Sequence, residues 1–197
     1  GNDTKSFSNA LRAALREDPD VILVGEMRDL ETIHLALTAA ETGHLVFGTV
    51  HTSSAAQSID RVIDVFPPDQ QQQIRIMLSN GLIGVISQTL LPRLAEQAGG
   101  SPITKGRILA VEILINTPAV SNLIRESKTA QIYSTMQMSA QLGMQTLESS
   151  LATLVKNGFV SPSEAMAKTT RPEDLERLMG SVHKAPVTGG KPGFGRF

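Results

Sequence analysis

The chain has 197 residues, of which 41% are hydrophobic and 19% charged, and its formal net charge is −1. That length carries one real core and at most a small appended module. The near-neutral charge gives no electrostatic case for nucleic acid as the main partner, and the absence of cysteine excludes a disulfide framework or a thiolate metal site and fits a reducing compartment.

No apolar run reaches the roughly 18–20 residues needed to span a bilayer. The polar start, Gly1-Asn2-Asp3-Thr4-Lys5-Ser6, has no apolar signal core and no initiator Met. It runs directly into a helical pattern, so the natural chain is expected to begin further upstream.

From Ser6 to Glu17, Phe7, Leu11, Ala14 and Leu15 recur at helical spacing. Asp18-Pro19-Asp20 ends that pattern, because the residue before a proline avoids the helical region. Val21-Ile22-Leu23-Val24 is a short apolar run that suits a central parallel strand covered on both faces. Asp29 is a good N-cap for the next segment, whose stripe is Leu30, Ile33, Leu37 and Ala40. Gly43 is placed to end it in a left-handed conformation. Leu45 to Val50 then reads as a second buried strand, and strand–helix–strand with short connections predicts a βαβ unit.

A helix is expected from Ser54 to Val65, and another opens at Pro67-Pro68-Asp69 with Ile74, Met77, Leu78 and Leu82 aligned. Val85 to Leu91 and Arg107 to Ile115 read as strands, with Ala98-Gly99-Gly100-Ser101-Pro102 as a surface loop between them. From Pro118 the pattern changes to short helices: one ending near Glu126, one over Thr129 to Met138, and one striped by Leu147, Leu151, Leu154 and Val155. Ser161-Pro162-Ser163-Glu164 matches a capping box with proline at the first helical position, and Thr170-Arg171-Pro172-Glu173 starts the last helix. The Gly/Pro-rich stretch after Gly180 predicts a disordered tail. The expected organisation is an α/β core over residues 1–116, a helical module over 117–180 and a flexible tail over 181–197.

Three polar clusters flank the apolar runs: Gly25-Glu26-Met27-Arg28-Asp29 after the first, Gly43-His44 before the second, and His51-Thr52-Ser53-Ser54 after the second. Ligands of open parallel sheets bind beyond the carboxyl ends of the strands, where Glu26 and His51 both lie. If the strands are neighbours, their side chains converge on one rim. An acid at a strand tip can reach Mg²⁺, directly or through water, or orient an attacking water. An acid that merely solvates a strand end is the commoner reading of Gly25-Glu26 taken alone. A single histidine at a strand end is usually structural, yet an imidazole there can also donate to a γ-phosphate. Thr52 and Ser53 can bond phosphate or cap a helix, and Gly43-His44 in isolation suits a helix terminus. His34, within a helix, is expected in solvent. The spacing of His44 and His51 suits no zinc pair. No Gly-x-x-x-x-Gly-Lys-Ser/Thr, Gly-x-Ser-x-Gly or Cys–His pair occurs.

Asp18 to Asp29 resembles the Walker B region of the type II/type IV secretion and pilus ATPases, and Thr42 to Thr52 resembles their His box. Ala119-Val120-Ser121-Asn122-Leu123-Ile124-Arg125-Glu126 is similar to the C-terminal motif Ala-Ile-Arg-Asn-Leu-Ile-Arg-Glu of the pilus retraction branch, with Val120 and Ser121 departing from it. The absence of cysteine also favours that branch, because the extension and type II secretion motors usually carry a four-Cys zinc module. A Dot/Icm-type secretion motor lacks that module too and stays an alternative.

The resemblance implies the C-terminal half of a RecA-like P-loop core, class α/β, followed by a small helical module. It implies a homo-hexameric ATPase using ATP and Mg²⁺ that powers pilus retraction and twitching motility. The implied setting is the cytoplasmic face of the inner membrane, reached only through partners, chiefly the inner-membrane pilus platform protein. Nucleic acid has no implied role. Glu26 would be the Walker B acid, acting on Mg²⁺, in part through water, and on the attacking water. His51 would lie nearest the phosphates, His44, Thr52 and Arg28 would sense nucleotide state, and Asn122, Leu123, Ile124, Arg125 and Glu126 would meet a partner. The family's Walker A loop, Asp box, arginine fingers and PAS-like domain precede the part matched here, so the isolated chain is expected neither to bind ATP tightly nor to hydrolyse it. Set against this motor is a non-catalytic assembly or regulatory module without a P-loop.

Overall fold

A computed structural model describes residues 7–17, 19–94 and 106–180. The predicted loop at Ala98–Pro102, the predicted disorder beyond Gly180 and His183 lie outside the described residues. The helices are α1 (Phe7–Ala14), α2 (Leu30–Glu41), α3 (Ala55–Asp64), α4 (Pro68–Gly81), α5 (Pro118–Arg125), α6 (Ile132–Met138), α7 (Leu147–Lys156), α8 (Pro162–Met166) and α9 (Pro172–Met179). The strands are β1 (Val21–Val24), β2 (Leu45–Gly48), β3 (Gly84–Pro92) and β4 (Arg107–Ile115).

Strands β1 and β2 pair in parallel, Val21 opposite Leu45 and Val24 opposite Gly48. The crossover between them is α2, whose start and stop follow local chemistry. The Asp29 carboxylate accepts from the Thr32 N–H at 2.8 Å and from its hydroxyl at 2.9 Å. At the other end Gly43 takes φ +99°, the Gly43 N–H donates to Ala40 O, and the His44 N–H donates to Ala39 O. This pair of bonds is the Schellman closure that a left-handed glycine permits.

The cover over this small sheet is one-sided. Ile22 and Val24 are buried with Leu11 of α1 and Ala36 and Ala39 of α2. Val21, Leu23 and Phe47 remain 55%, 74% and 54% exposed. The prediction of a strand buried on both faces is therefore corrected: successive side chains point to opposite faces, and among the described residues only the α1–α2 side is packed. The second strand also ends at Gly48 rather than Val50, although the Met27 N–H still donates to Thr49 O at 3.0 Å.

Strands β3 and β4 form a separate antiparallel pair, Gly84 opposite Ile115 and Ser87 opposite Glu112. On β4, Ala110, Glu112 and Leu114 face inward at period two. One apolar cluster joins α3 and α4 to Leu114 and to Val120, Ile124, Ile132 and Met136. A second joins Leu91 and Ala110 of the hairpin to Leu151, Ala165 and Leu175 of the last three helices and to Val160 between α7 and α8. The hairpin thus serves both clusters. The stretch predicted as one helix over Thr129 to Met138 opens with a tighter 3₁₀ turn, Thr129–Gln131, before α6.

Candidate functional site

The parallel pairing of β1 and β2 puts both strands' carboxyl ends side by side, and the two following loops are cross-linked. The Thr49 hydroxyl donates to Gly25 O, alongside the Met27–Thr49 backbone bond. Met27 folds across Gly48, where a Cβ would meet the Met27 sulfur and methyl at 2.6 Å. A side chain at 48 would have to displace the end of Met27 from this position.

On this rim the Glu26 carboxylate meets two cations or potential cations. Its Oε1 lies 2.9 Å from His51 Nε2, and the Arg28 guanidinium donates to the same oxygen. Glu26 is partly exposed, at 24% for its side chain, while His51 stands out in solvent at 82%. The Arg28 hydrogen bond, followed by the fields of Arg28 and His51, holds the Glu26 carboxyl below its ordinary range against an opposing effect of desolvation. The carboxylate in turn raises the Arg28 guanidinium. An ionised acid held by a guanidinium and an imidazole at the tips of parallel strands has the charge and placement to orient water against a phosphate.

The other predicted residues are distributed differently. Thr52 follows His51, but its hydroxyl turns away to Ser58 Oγ at 2.6 Å, and the Ser53 hydroxyl bonds Gln57 Oε1 at 2.6 Å. Both tie the loop to the start of α3, where Ser54 is the N-cap. His44 lies at the amino end of β2, which at ~3.3 Å per residue is about 13 Å from the Glu26 end. Its Nδ1 sits 3.0 Å from Ala39 O and 3.2 Å from Thr42 Oγ1, so its ring helps to close α2 and is not brought to the rim. His34 is exposed as expected, edge-on to Phe66.

In α5, Ile124 is buried and Leu123 packs against the first cluster. Asn122, Arg125 and Glu126 are exposed, with Arg125 donating to Asn122 Oδ1 at 2.6 Å and Glu126 paired to Lys128 at 2.7 Å. Ser121 points inward, donating to Ser79 O at 2.9 Å and Asn116 Oδ1 at 3.1 Å. It binds α5 to the end of α4 and adds nothing to the exposed face.

Sequence reasoning missed Glu112. It is 5% exposed, and its Oε1 accepts from the Ala55 N–H at 2.6 Å. Desolvation, first among its causes, raises its pKa, and hydrogen bonds from the Ala55 and Leu147 backbone oppose that. The available signal was a single acid inside the otherwise apolar run Ile108 to Ile115.

Among the described residues no group of three or more His, Cys, Asp or Glu side chains could hold a metal ion. The described residues build no dedicated protein cage. One carboxylate does fit Mg²⁺, which keeps waters and takes further ligands from phosphates.

Known proteins are similar to this chain over most of its length. The family model for the type II/IV secretion system protein matches residues 2–167. The type IV pilus retraction ATPase PilT of Pseudomonas aeruginosa is 59% identical over 173 residues, covering 88% of this chain and 48% of that protein. A twitching motility protein of Neisseria gonorrhoeae is 54% identical over 172 residues, covering 87% of this chain and 44% of its own length. A crystal structure of the pilus retraction motor PilT with bound ADP superposes with TM-score 0.77 at 55% identity, over 90% of this chain and 47% of that one. The chain spans about half the length of the curated relatives it matches.

Proposed function

Because the chain belongs to the type II/IV secretion system protein family, we propose that it forms part of a hexameric, Mg²⁺-dependent ATP-hydrolysing motor that powers type IV pilus retraction and twitching motility. The observation that carries this reading is the 2.9 Å approach of His51 Nε2 to Glu26 Oε1 at the ends of adjacent parallel strands. It occurs in a chain 59% identical to a pilus retraction ATPase. The structural neighbour solved with ADP supports a nucleotide as the ligand.

In this reading Glu26 accepts a hydrogen bond from the attacking water and fixes its direction, while Arg28 keeps that carboxylate ionised. His51, held by Glu26 on one side and open to solvent on the other, offers a ring nitrogen to the terminal phosphate and registers its departure. Thr52 steadies the loop through Ser58. Mg²⁺ bound with ATP would be held in part by Glu26 through water and would neutralise phosphate charge. His44 acts as an indirect sensor through the end of α2. The exposed Asn122, Arg125 and Glu126, braced by Leu123 and Ile124, form the partner-facing motif. Closing around nucleotide would rotate rigid units against one another by hinge-type coupling.

The inner-membrane pilus platform is the proposed partner and the cytoplasmic face of that membrane the proposed site. No described helix is long and apolar enough to cross a membrane. The division into motor core (1–116), helical module (117–180) and tail (181–197) belongs to the same proposal.

The test is a chimera in which this chain replaces the matching part of Pseudomonas aeruginosa PilT, so that a phosphate-binding loop is supplied. The chimera is expected to release phosphate from ATP, and Glu26→Gln to lower kcat by about 100-fold or more, in line with the loss of a group acting in the transition state. Equal rates for the two would overturn the assignment. The 197-residue chain alone is expected to release none.

A further inference from the structure

Ser54 and Thr146, the N-caps of α3 and α7, each spend their hydroxyl on the third helical amide, Gln57 in α3 and Ser149 in α7. That leaves the first amides, Ala55 and Leu147, among the orphan donors every helix start carries. One carboxylate serves the first and lies beside the second. The Ala55 N–H donates to Glu112 Oε1 at 2.6 Å, and the Leu147 N–H helps to hold the charge of the same carboxylate. A negative charge between two helix N-termini is also where both helix dipoles favour it.

We propose that Glu112 is the positioning residue of the His51–Thr52 loop, one carboxylate that pins the starts of α3 and α7 to β4 and so joins the strand rim to the helical module. On the rim side, His51 lies four residues before Ala55, and the intervening turn is bonded into α3 through Thr52 and Ser53. Any shift of α3 along its axis therefore moves His51. On the module side, Glu148 in the first turn of α7 accepts from Tyr133 at 3.0 Å and Thr169 at 2.7 Å, and Tyr133 also donates to Asp174 at 3.1 Å. That links α7 to α6 and α9. Ser87, opposite Glu112 in the hairpin register, has a buried hydroxyl with no hydrogen-bond partner. It offers the carboxylate a replacement donor when one helix draws away.

The positional claim stands on the geometry alone, and its catalytic consequence rests on the function proposed above. Amide exchange and His51 ring signals of the 197-residue chain, followed by NMR, test the first. In Glu112→Ala, exchange at Ala55 and Leu147 is expected to accelerate by at least about tenfold relative to the amides of α4. Thr146→Ala should move the His51 ring signals when Glu112 is present and leave them still in Glu112→Ala. Should the alanine variant not fold, Glu112→Gln keeps one acceptor oxygen and is expected to release one of the two amides. Exchange at Ala55 and Leu147 that only follows the whole core, or a Thr146→Ala response indifferent to Glu112, overturns the proposal.

In the chimera, Glu112→Gln is expected to lower kcat about fivefold with KM for ATP within about twofold. An unchanged kcat would remove the catalytic consequence. A chimera that is inactive with Glu112 intact would count against the proposed function, and the exchange data would still decide the role of Glu112.

Discussion

Two glutamates mark two kinds of ground in this molecule. Glu26 stands at a strand tip beside Arg28 and His51, and its carboxyl is held low by the guanidinium. Glu112 is sunk in a row of apolar residues on β4, and burial pushes its carboxyl up. The first is surrounded by groups free to turn toward a ligand. The second is surrounded by backbone that must have a partner. An ionised acid on a solvated rim can change partners during a reaction cycle, whereas an acid shared by two helix ends defines where those helices begin.

The same substitution made in both places should separate them most. Glu112→Ala strands the buried Ala55 donor at about 1–3 kcal/mol and costs about 1 kcal/mol at the half-exposed Leu147, so a urea midpoint is expected to fall by the equivalent of roughly 2–4 kcal/mol. Glu26→Ala should leave the midpoint in place, because its partners are exposed and water replaces it. A midpoint that falls as far for Glu26→Ala as for Glu112→Ala would erase the distinction.

A smaller effect belongs to Tyr133→Phe. It removes the hydroxyl shared by Glu148 and Asp174 and leaves the buried Glu148 with Thr169. The expected cost is about 1–2 kcal/mol, read in the same titration, and the Glu26–His51 geometry should not respond.

Asp29→Ala should cost about 1 kcal/mol by uncapping α2. Its pH dependence has the opposite sign to that of Glu112. Asp29 is lowered from 3.8, chiefly by the Thr32 backbone bond. Its contribution is therefore present above that value and lost as pH falls through its depressed folded value. Glu112 is raised from 4.5, so the folded state binds its proton more tightly than the unfolded chain does. That contribution is complete below pH 4.5 and is lost as pH rises through the raised folded value. Acid titrations of the two alanine variants against the parent chain should diverge from it in opposite directions.

The parts legible in the sequence were those written by local chemistry. Asp29, Ser54, Thr117 and Ser161 cap helices where their side chains say they should, and Gly43 closes α2. The rim was legible because a strand followed by an acid, and another followed by a histidine, needed only parallel pairing to converge. What was illegible depended on distant or missing neighbours. The bond from Ala55 to Glu112 crosses 57 residues, and no periodicity announces it. Val21 and Leu23 looked like core because apolarity reports what a side chain prefers, not what covers it. His44 belonged to a motif, yet the backbone bonds it to the end of α2, a strand's length from Glu26.

The uncovered face of β1 and β2 has a practical corollary. Among the described residues, Val21, Leu23 and Phe47 present a wet apolar strip next to open backbone on both strand edges. Such a ribbon recruits further strands from whatever chain is nearby. In a tube of the purified chain the nearest donor is another copy, so light scattering should climb with concentration and fall when Leu23 is replaced by lysine. The surface that makes this sheet sticky in isolation is also the one that would let neighbouring strands extend it into a broader platform beneath the rim.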